Sequence, residues 1–196
     1  MEKEKDFLNT SWNFNLDTIH NYAFSKNAFT PEECEKIINI ANNKRYVTGI
    51  TSGNIPDIRE SEISWLYVND DLEWLYRRLT DIILDLNNKY FNFDIFGISE
   101  GLQFTNYKAP SGRYGKHMDR GYKSVVRKLS ISIQLTDPKK YKGGELFLYD
   151  NEIGEQLTKD QGTLVMFPSF MLHEVKPVTE GERNSLVAWV TGNQFR

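Results

Sequence analysis

The chain has 196 residues, a formal net charge of −3 and a sequence pI near 5.7, so no overall attraction draws it to nucleic acid or to an anionic membrane surface. Its single cysteine, Cys34, excludes an internal disulfide framework and fits a reducing compartment. The opening MEKEKDFLNT lacks an apolar core and no apolar run approaches the roughly 18 residues that span a bilayer, so the expectation is a soluble, cytoplasmic protein with no membrane partner.

No repeat, low-complexity tract or linker divides the sequence. The expected organisation is one domain over 1–196, with 1–95 as helical support and 96–196 as a β-rich core. Residues 1–15 are polar with scattered aromatics, Trp12 and Phe14. TIHNYAFS over 18–25 fits a short strand. His20 within it has no ligand-type neighbours, which makes it structural or exposed. Thr30-Pro31-Glu32-Glu33 predicts a helix start, with Thr30 as N-cap, Pro31 at the first helical position and Glu33 closing a capping box. Cys34, Ile37, Ile38 and Ala41 follow at the spacing of a buried stripe, and Asn42-Asn43 ends the helix.

Residues 48–60, rich in turn formers, predict a loop, and 61–68 an extended segment. Asp70-x-x-Glu73 predicts a second capping box. Leu72, Leu75, Leu79, Ile82, Ile83 and Leu86 then recur at helical spacing to about Tyr90, a face suited to the outside of a sheet.

From Phe91 the texture becomes short alternating segments broken by Gly, Pro, Asn and Asp, roughly 97–107, 113–119, 126–136, 144–149, 162–168, 170–177 and 183–192. Such a series after two helices predicts a β-sandwich or jelly roll buttressed by helices. One parity carries Leu102, Phe104, Leu129, Ile131, Ile133 and Leu135; the other carries Gln103, Thr105, Tyr107, Ser130, Ser132 and Gln134. The polar parity either faces solvent or lines a cavity for a polar ligand, and the sequence leaves both open.

His117-Met118-Asp119 is the candidate for the chemistry; taken without the rest of the stretch, it reads equally as a chance pair of structural or surface residues. An H-x-D pair on an extended segment places both side chains on one face. His173, 54 residues beyond Asp119, completes a two-His-one-carboxylate facial triad, the donor set of non-haem Fe(II) oxygenases. Arg183, ten residues after His173, offers a two-donor fork for the far carboxylate of a dicarboxylate cosubstrate. Gly143-Gly144 predicts a tight turn beside the cavity and Pro168 a turn before the His173 strand. Thr179-Glu180-Gly181-Glu182 predicts a hairpin turn that folds Arg183 back beside His173.

From about Phe104 onward the chain resembles the Fe(II)/2-oxoglutarate-dependent dioxygenases, most nearly the prolyl-4-hydroxylase-like branch with its PKHD-type hydroxylases. The resemblance is carried by Tyr107 and Gly115 ahead of His117-Met118-Asp119, by RKLSISIQL at 127–135, by YKGGELFLYD at 141–150 and by GTLVMFPSFMLHEVKPVTEGERNSLVAWV at 162–190. It implies a double-stranded β-helix (jelly roll) core with N-terminal helices packed on the major sheet. It implies His117, Asp119 and His173 as iron ligands and Arg183 as the anchor of the 2-oxoglutarate 5-carboxylate. Ser185 in an R-x-S arrangement and the Tyr107 hydroxyl would assist that anchor, Leu146 would wall the pocket, and Trp189 would stand near the metal. Ser130 and Gln134, on the polar parity, complete the cosubstrate candidates. The cofactors implied are Fe(II), 2-oxoglutarate and O₂, with ascorbate as reductant.

The implied reaction is C–H hydroxylation with release of succinate and CO₂. A carboxylate at Asp119 argues for hydroxylation, because halogenating relatives carry a small residue there. Lysine usually stands at the Arg183 position in collagen-type enzymes, and the oxygen-sensor-like enzymes carry tyrosine where Gln134 falls. The first substrate expectation is a peptidyl proline, the alternative a free amino acid or other small metabolite. A nucleic-acid demethylase is disfavoured by charge. A non-catalytic, metal-holding cupin-like protein is the alternative of another class. Residues 48–60 and 120–126 are candidate substrate loops, with Arg59, Arg120 and Tyr122 as contacts or simply as solvated residues. No motif sets an oligomeric state.

Overall fold

Apolar–polar alternation from Leu102 onward folds into strands whose two faces meet different surroundings. The computed structural model describes residues 20–49, 58–120 and 126–194; Trp12, Phe14, the loop core at 50–57 and Tyr122 lie outside them. In chain order the elements are β1 (Ala23–Ser25), α1 (Pro31–Asn42), β2 (Val47–Thr48), β3 (Arg59–Glu60), β4 (Glu62–Leu66), α2 (Glu73–Leu86), a π-helical turn (Asn87–Phe91), β5 (Ile95–Ile98), β6 (Leu102–Lys108) and β7 (Arg113–His117). The second half contains β8 (Arg127–Gln134), β9 (Tyr141–Gly143), β10 (Leu146–Tyr149), β11 (Glu155–Gln156), β12 (Leu164–Pro168), β13 (Leu172–Val175) and β14 (Val178–Gly192).

A larger antiparallel sheet runs in the order β1-β12-β8-β14-β6-β4-β2, with β5 and β9 also pairing with β14. A smaller sheet runs β11-β10-β13-β7-β3. On the larger sheet the apolar parity, including Leu102, Phe104, Leu129, Ile133, Leu186 and Val190, forms one cluster with Cys34, Ile37 and Ala41 of α1 and Leu75, Leu79 and Ile83 of α2. Full burial of such side chains stabilises by about 1.5–3 kcal/mol each. Between the sheets, Leu146 and Leu148 of β10 meet Val165 and Phe167 of β12 and Val175 of β13 in a second cluster. The opposite parity of β6 and β8 therefore points into the space between the sheets. This resolves the open choice in favour of a cavity: Gln103, Thr105, Tyr107, Ser130, Ser132 and Gln134 are all buried.

The helix starts follow their local chemistry unequally. At Thr30 the expected capping box forms: its Oγ1 accepts from the Glu33 backbone N–H at 3.2 Å, and Glu33 Oε2 accepts from the Thr30 N–H at 2.9 Å. The box expected at Asp70 does not form. Asn69 Oδ1 instead accepts from the Leu72 N–H at 3.0 Å, and α2 begins only at Glu73. The hairpin expected at 179–182 is also absent. Val178, Glu180 and Gly181 belong to β14, where they pair with Gly143, Lys142 and Tyr141. The break between β13 and β14 falls earlier, at Lys176-Pro177, so Arg183 is carried by a continuous strand. No helix among the described residues is long and apolar enough to cross a membrane.

Candidate active site

His117 ends β7 and His173 lies on β13, and the antiparallel register places them directly opposite one another. Their ring centroids are 4.1 Å apart. Asp119 lies two residues past the end of β7, so simple strand alternation does not place it. Its backbone N–H donates to the Ser169 carbonyl at 2.9 Å, which turns the carboxylate inward. The Nε2 atoms of His117 and His173 then stand 3.7 and 3.4 Å from its two oxygens. One ligand atom from each of the three residues falls within 4.8 Å of the others, a grouping that fits a small divalent ion.

The surrounding hydrogen bonds fix which atoms are free. His117 Nδ1 donates to the Gly115 carbonyl at 2.7 Å and His173 Nδ1 to the Met171 carbonyl at 3.0 Å, which leaves both Nε2 lone pairs directed at the ion position. Ser130 Oγ donates to Asp119 Oδ2 at 2.9 Å and shares a second 2.9 Å bond with Ser169 Oγ. Ser130 is therefore committed to orienting the ligand carboxylate. Burial pushes the His117 imidazole down to about 4, so it is neutral at neutral pH. Burial pushes the Asp119 carboxyl up, but the two histidines and the nearby Trp189 indole outweigh it and hold the group well below the carboxylate range. The Trp189 N–H points that way without completing a hydrogen bond of ordinary geometry. Burial also opposes charge on His173; the adjoining Asp119 prevails and raises it.

Aromatic rings pack around the cluster. Tyr114 stacks on His117 at 3.5 Å and 13°, and Phe167 meets His173 edge-on at 4.9 Å. Tyr114 escapes period-two reasoning because β7 carries an extra residue: His173 pairs with His117, but Val175 pairs with Tyr114. That bulge brings Tyr114 alongside a residue three positions away.

Arg183 opens into the same cavity of about 280 Å³ as the triad, together with Tyr107, Leu146, Ser130, Ser185 and Trp189. It is 1% exposed. Its Nη2 donates to Gln134 Oε1 at 2.9 Å and its Nη1 approaches Ser185 Oγ at 3.4 Å. The Tyr107 ring faces its guanidinium at 5.4 Å, and the Tyr141 hydroxyl also interacts with it. No carboxylate is among these contacts, and its Nε has no partner. A buried cation in this condition calls for an anion, and Arg183 lines the same cavity as His117, Asp119 and His173. Gly144 makes room for it: a Cβ there would meet Arg183 Cδ at 3.0 Å, and the residue has φ +65°.

The remaining sequence candidates fall apart in space. His20 is exposed, and its ring meets the edge of Tyr90. Arg120 is exposed and stands outside the cavity. Arg59 does line it, as do Trp65, Gln103 and Glu100. Trp65 and Glu100 went unrecognised because nothing local distinguishes a cavity-facing tryptophan or glutamate from a surface one.

Comparison with known proteins agrees with this geometry. Residues 102–191 match the family model of the 2OG-Fe(II) oxygenase superfamily. A PKHD-type hydroxylase of Prochlorococcus marinus (strain MIT 9211) is 38% identical over 91 residues, which are 46% of this chain and 41% of that protein. The matched stretch thus spans under half the length of that relative. A PKHD-type hydroxylase of Aliarcobacter butzleri is 30% identical over 172 residues, covering 81% of this chain and 71% of the relative. The fold matches a Pseudomonas putida prolyl-4-hydroxylase with a TM-score of 0.72 at 18% identity, over 89% of this chain and 94% of that one. It also matches a Trichoplax adhaerens prolyl hydroxylase in complex with a hypoxia inducible factor peptide fragment, with a TM-score of 0.73 at 20% identity, over 95% and 86% of the two chains. These neighbours share the jelly-roll architecture seen here, and the Aliarcobacter protein extends the likeness through most of both sequences: the chain belongs to the 2OG-Fe(II) oxygenase superfamily, in its PKHD-type branch.

Proposed function

We propose that the chain is a 2-oxoglutarate-dependent hydroxylase of a peptidyl proline. The observation that carries the cosubstrate is Arg183, a buried guanidinium with no carboxylate partner among the described residues, in the cavity that holds three candidate metal-ligand atoms. His117 and His173 would hold Fe(II) through Nε2 and Asp119 through a carboxylate oxygen. Arg183 would take the far carboxylate of 2-oxoglutarate, with the Ser185 and Tyr107 hydroxyls beside it and Leu146 as an apolar wall. Gln134 fixes the plane of the guanidinium by accepting from Nη2. Ser130 keeps Asp119 turned toward the metal position. Burial keeps water from competing for these groups. Bound iron, with 2-oxoglutarate and O₂, supplies oxidation of a C–H bond while the cosubstrate leaves as succinate and CO₂.

Peptidyl proline as substrate is supported by the prolyl hydroxylases among the structural neighbours, one of which carries a peptide fragment. The test incubates the protein with Fe(II), 2-oxoglutarate and ascorbate in air. Succinate formation is expected, and proline-containing peptides should gain 16 Da. Metal binding without succinate would favour a cupin-like holding protein. Succinate stimulated only by free amino acids would move the substrate class.

A further inference from the structure

We infer that Arg59 is the substrate-recognition cation of this cavity and that the substrate presents a carboxylate to it. The inference rests on the iron and 2-oxoglutarate reading above. Its basis is the charge left over once that site is filled. Among the described residues, five charged side chains line the cavity besides the two histidines: Arg59, Glu100, Asp119, Arg127 and Arg183. Divalent iron and dianionic 2-oxoglutarate cancel each other, and Asp119 cancels Arg183. Glu100 and Arg127 cancel through a two-pronged bridge of 2.7 and 2.6 Å. Of these five, Arg59 alone is uncompensated.

Its geometry is that of a held group. Arg59 stands in the Tyr114 register position of β3, with its guanidinium 4.6 Å over the Tyr114 ring. Nε donates to Ser61 Oγ and Nη2 to Gln103 Oε1, each at 2.8 Å. Both partners are neutral acceptors, and no carboxylate contacts Arg59 among the described residues. Backbone closeness reinforces the position: a Cβ at Gly49 would stand 2.7 Å from Arg59 Nε. Through Tyr114, which stacks on His117, the guanidinium sits one ring away from the metal ligands. Trp65 and Trp189, with ring centroids 6.2 Å apart, provide an apolar wall in the same cavity. A substrate that packs its body on these rings and directs a carboxylate at Arg59 neutralises the last charge. That carboxylate can be an acidic side chain in a peptide or a terminal α-carboxylate.

The test measures binding to protein loaded with Mn(II) and 2-oxoglutarate without oxygen, by calorimetry. One probe pair is acetyl-Pro-Ala-Glu-amide against acetyl-Pro-Ala-Gln-amide; the other is acetyl-Ala-Pro with a free carboxylate against its amide. A charge-assisted hydrogen bond at a partly open site should favour one carboxylate probe about tenfold over its neutral partner. The pair that shows the preference identifies the source of the carboxylate. Arg59→Gln should erase the preference and Arg59→Lys should keep part of it. Gln103→Glu, which neutralises the arginine in place, should erase it as well. Equal binding within both pairs, or a preference that survives both Arg59→Gln and Gln103→Glu, overturns the inference while the cosubstrate reading stands. Failure of the wild-type protein to bind 2-oxoglutarate overturns both.

Discussion

His117 and His173 are cross-strand partners in the smaller sheet, 56 residues apart in sequence and opposite one another in register. The sheet thus sets the spacing of the two imidazoles that could hold a metal ion, and only the carboxylate depends on irregular backbone. Each imidazole is locked by its own Nδ1 bond to a carbonyl two residues earlier. His117→Ala or His173→Ala should abolish iron-dependent turnover and most Mn(II) affinity, measured by calorimetry. His20→Ala should leave both intact. Full metal affinity in His173→Ala would rule out the triad.

Ser130 tests the support beneath the ligands. Its hydroxyl donates to Asp119, and its loss frees the carboxylate to rotate. Ser130→Ala should weaken Mn(II) binding by about 10–100-fold, the usual cost of removing a hydrogen bond to a metal ligand. It should affect 2-oxoglutarate only through the metal. An effect on 2-oxoglutarate in metal-free protein would instead make Ser130 a direct cosubstrate contact.

Much of this site was legible because its residues obey local rules. Parity along Leu129–Gln134 separates the sheet's helix-covered face from its cavity face, and Gly143-Gly144 marks the close approach to Arg183. What escaped depends on pairing between distant segments. The strand at 178–181 exists because Tyr141–Gly143 lies beside it, so turn-forming residues there were overridden. Tyr114 reaches His117 through a bulge that no single strand's sequence encodes. The helix α2 starts later than an Asp70 box would set it: Leu72 stands at the N-cap position with no side-chain cap bond, and Asn69 Oδ1 accepts from the Leu72 N–H in the preceding turn.

Cys34 supplies a prediction about pH. The thiol is fully buried on the inner stripe of α1, and burial raises it from its ordinary 9.0 to about 12. It should resist thiol reagents at neutral pH in the folded protein and react after denaturation. The sign of the linkage follows. The unfolded thiol ionises near 9 while the folded one does not, so its contribution to stability is complete below pH 9. That contribution is lost as pH rises from about 9 toward 12. Denaturant melts across this window should show falling stability in the wild type and a shallower fall in Cys34→Ala. Rapid native labelling at pH 7 would show that the helix stripe opens.

Arg183 gives the sharpest separation of cosubstrate from metal. Its guanidinium is buried, anchored by Gln134 and left with an Nε unpartnered among the described residues, and a protonated guanidinium has no lone pair to offer a metal. Each charge-assisted hydrogen bond is worth about 1.5–3 kcal/mol. Losing the fork should therefore weaken 2-oxoglutarate by roughly one to two orders of magnitude per lost bond, at about 1.4 kcal/mol per tenfold. Arg183→Ala should raise the KM for 2-oxoglutarate steeply and leave Mn(II) affinity nearly unchanged. Arg183→Lys should fall between, because an ammonium supplies charge without the planar pair of donors. Stability moves the other way. A desolvated guanidinium without a counter-ion burdens the empty fold, so Arg183→Met should melt no lower than wild type when 2-oxoglutarate is absent. Adding 2-oxoglutarate should raise the melting temperature of the wild type alone. An unchanged KM in Arg183→Ala would move the anchor elsewhere, to another cavity cation such as Arg127. It is already engaged by Glu100 and stacked 3.8 Å over Trp189, so taking up a cosubstrate carboxylate would require breaking that bridge.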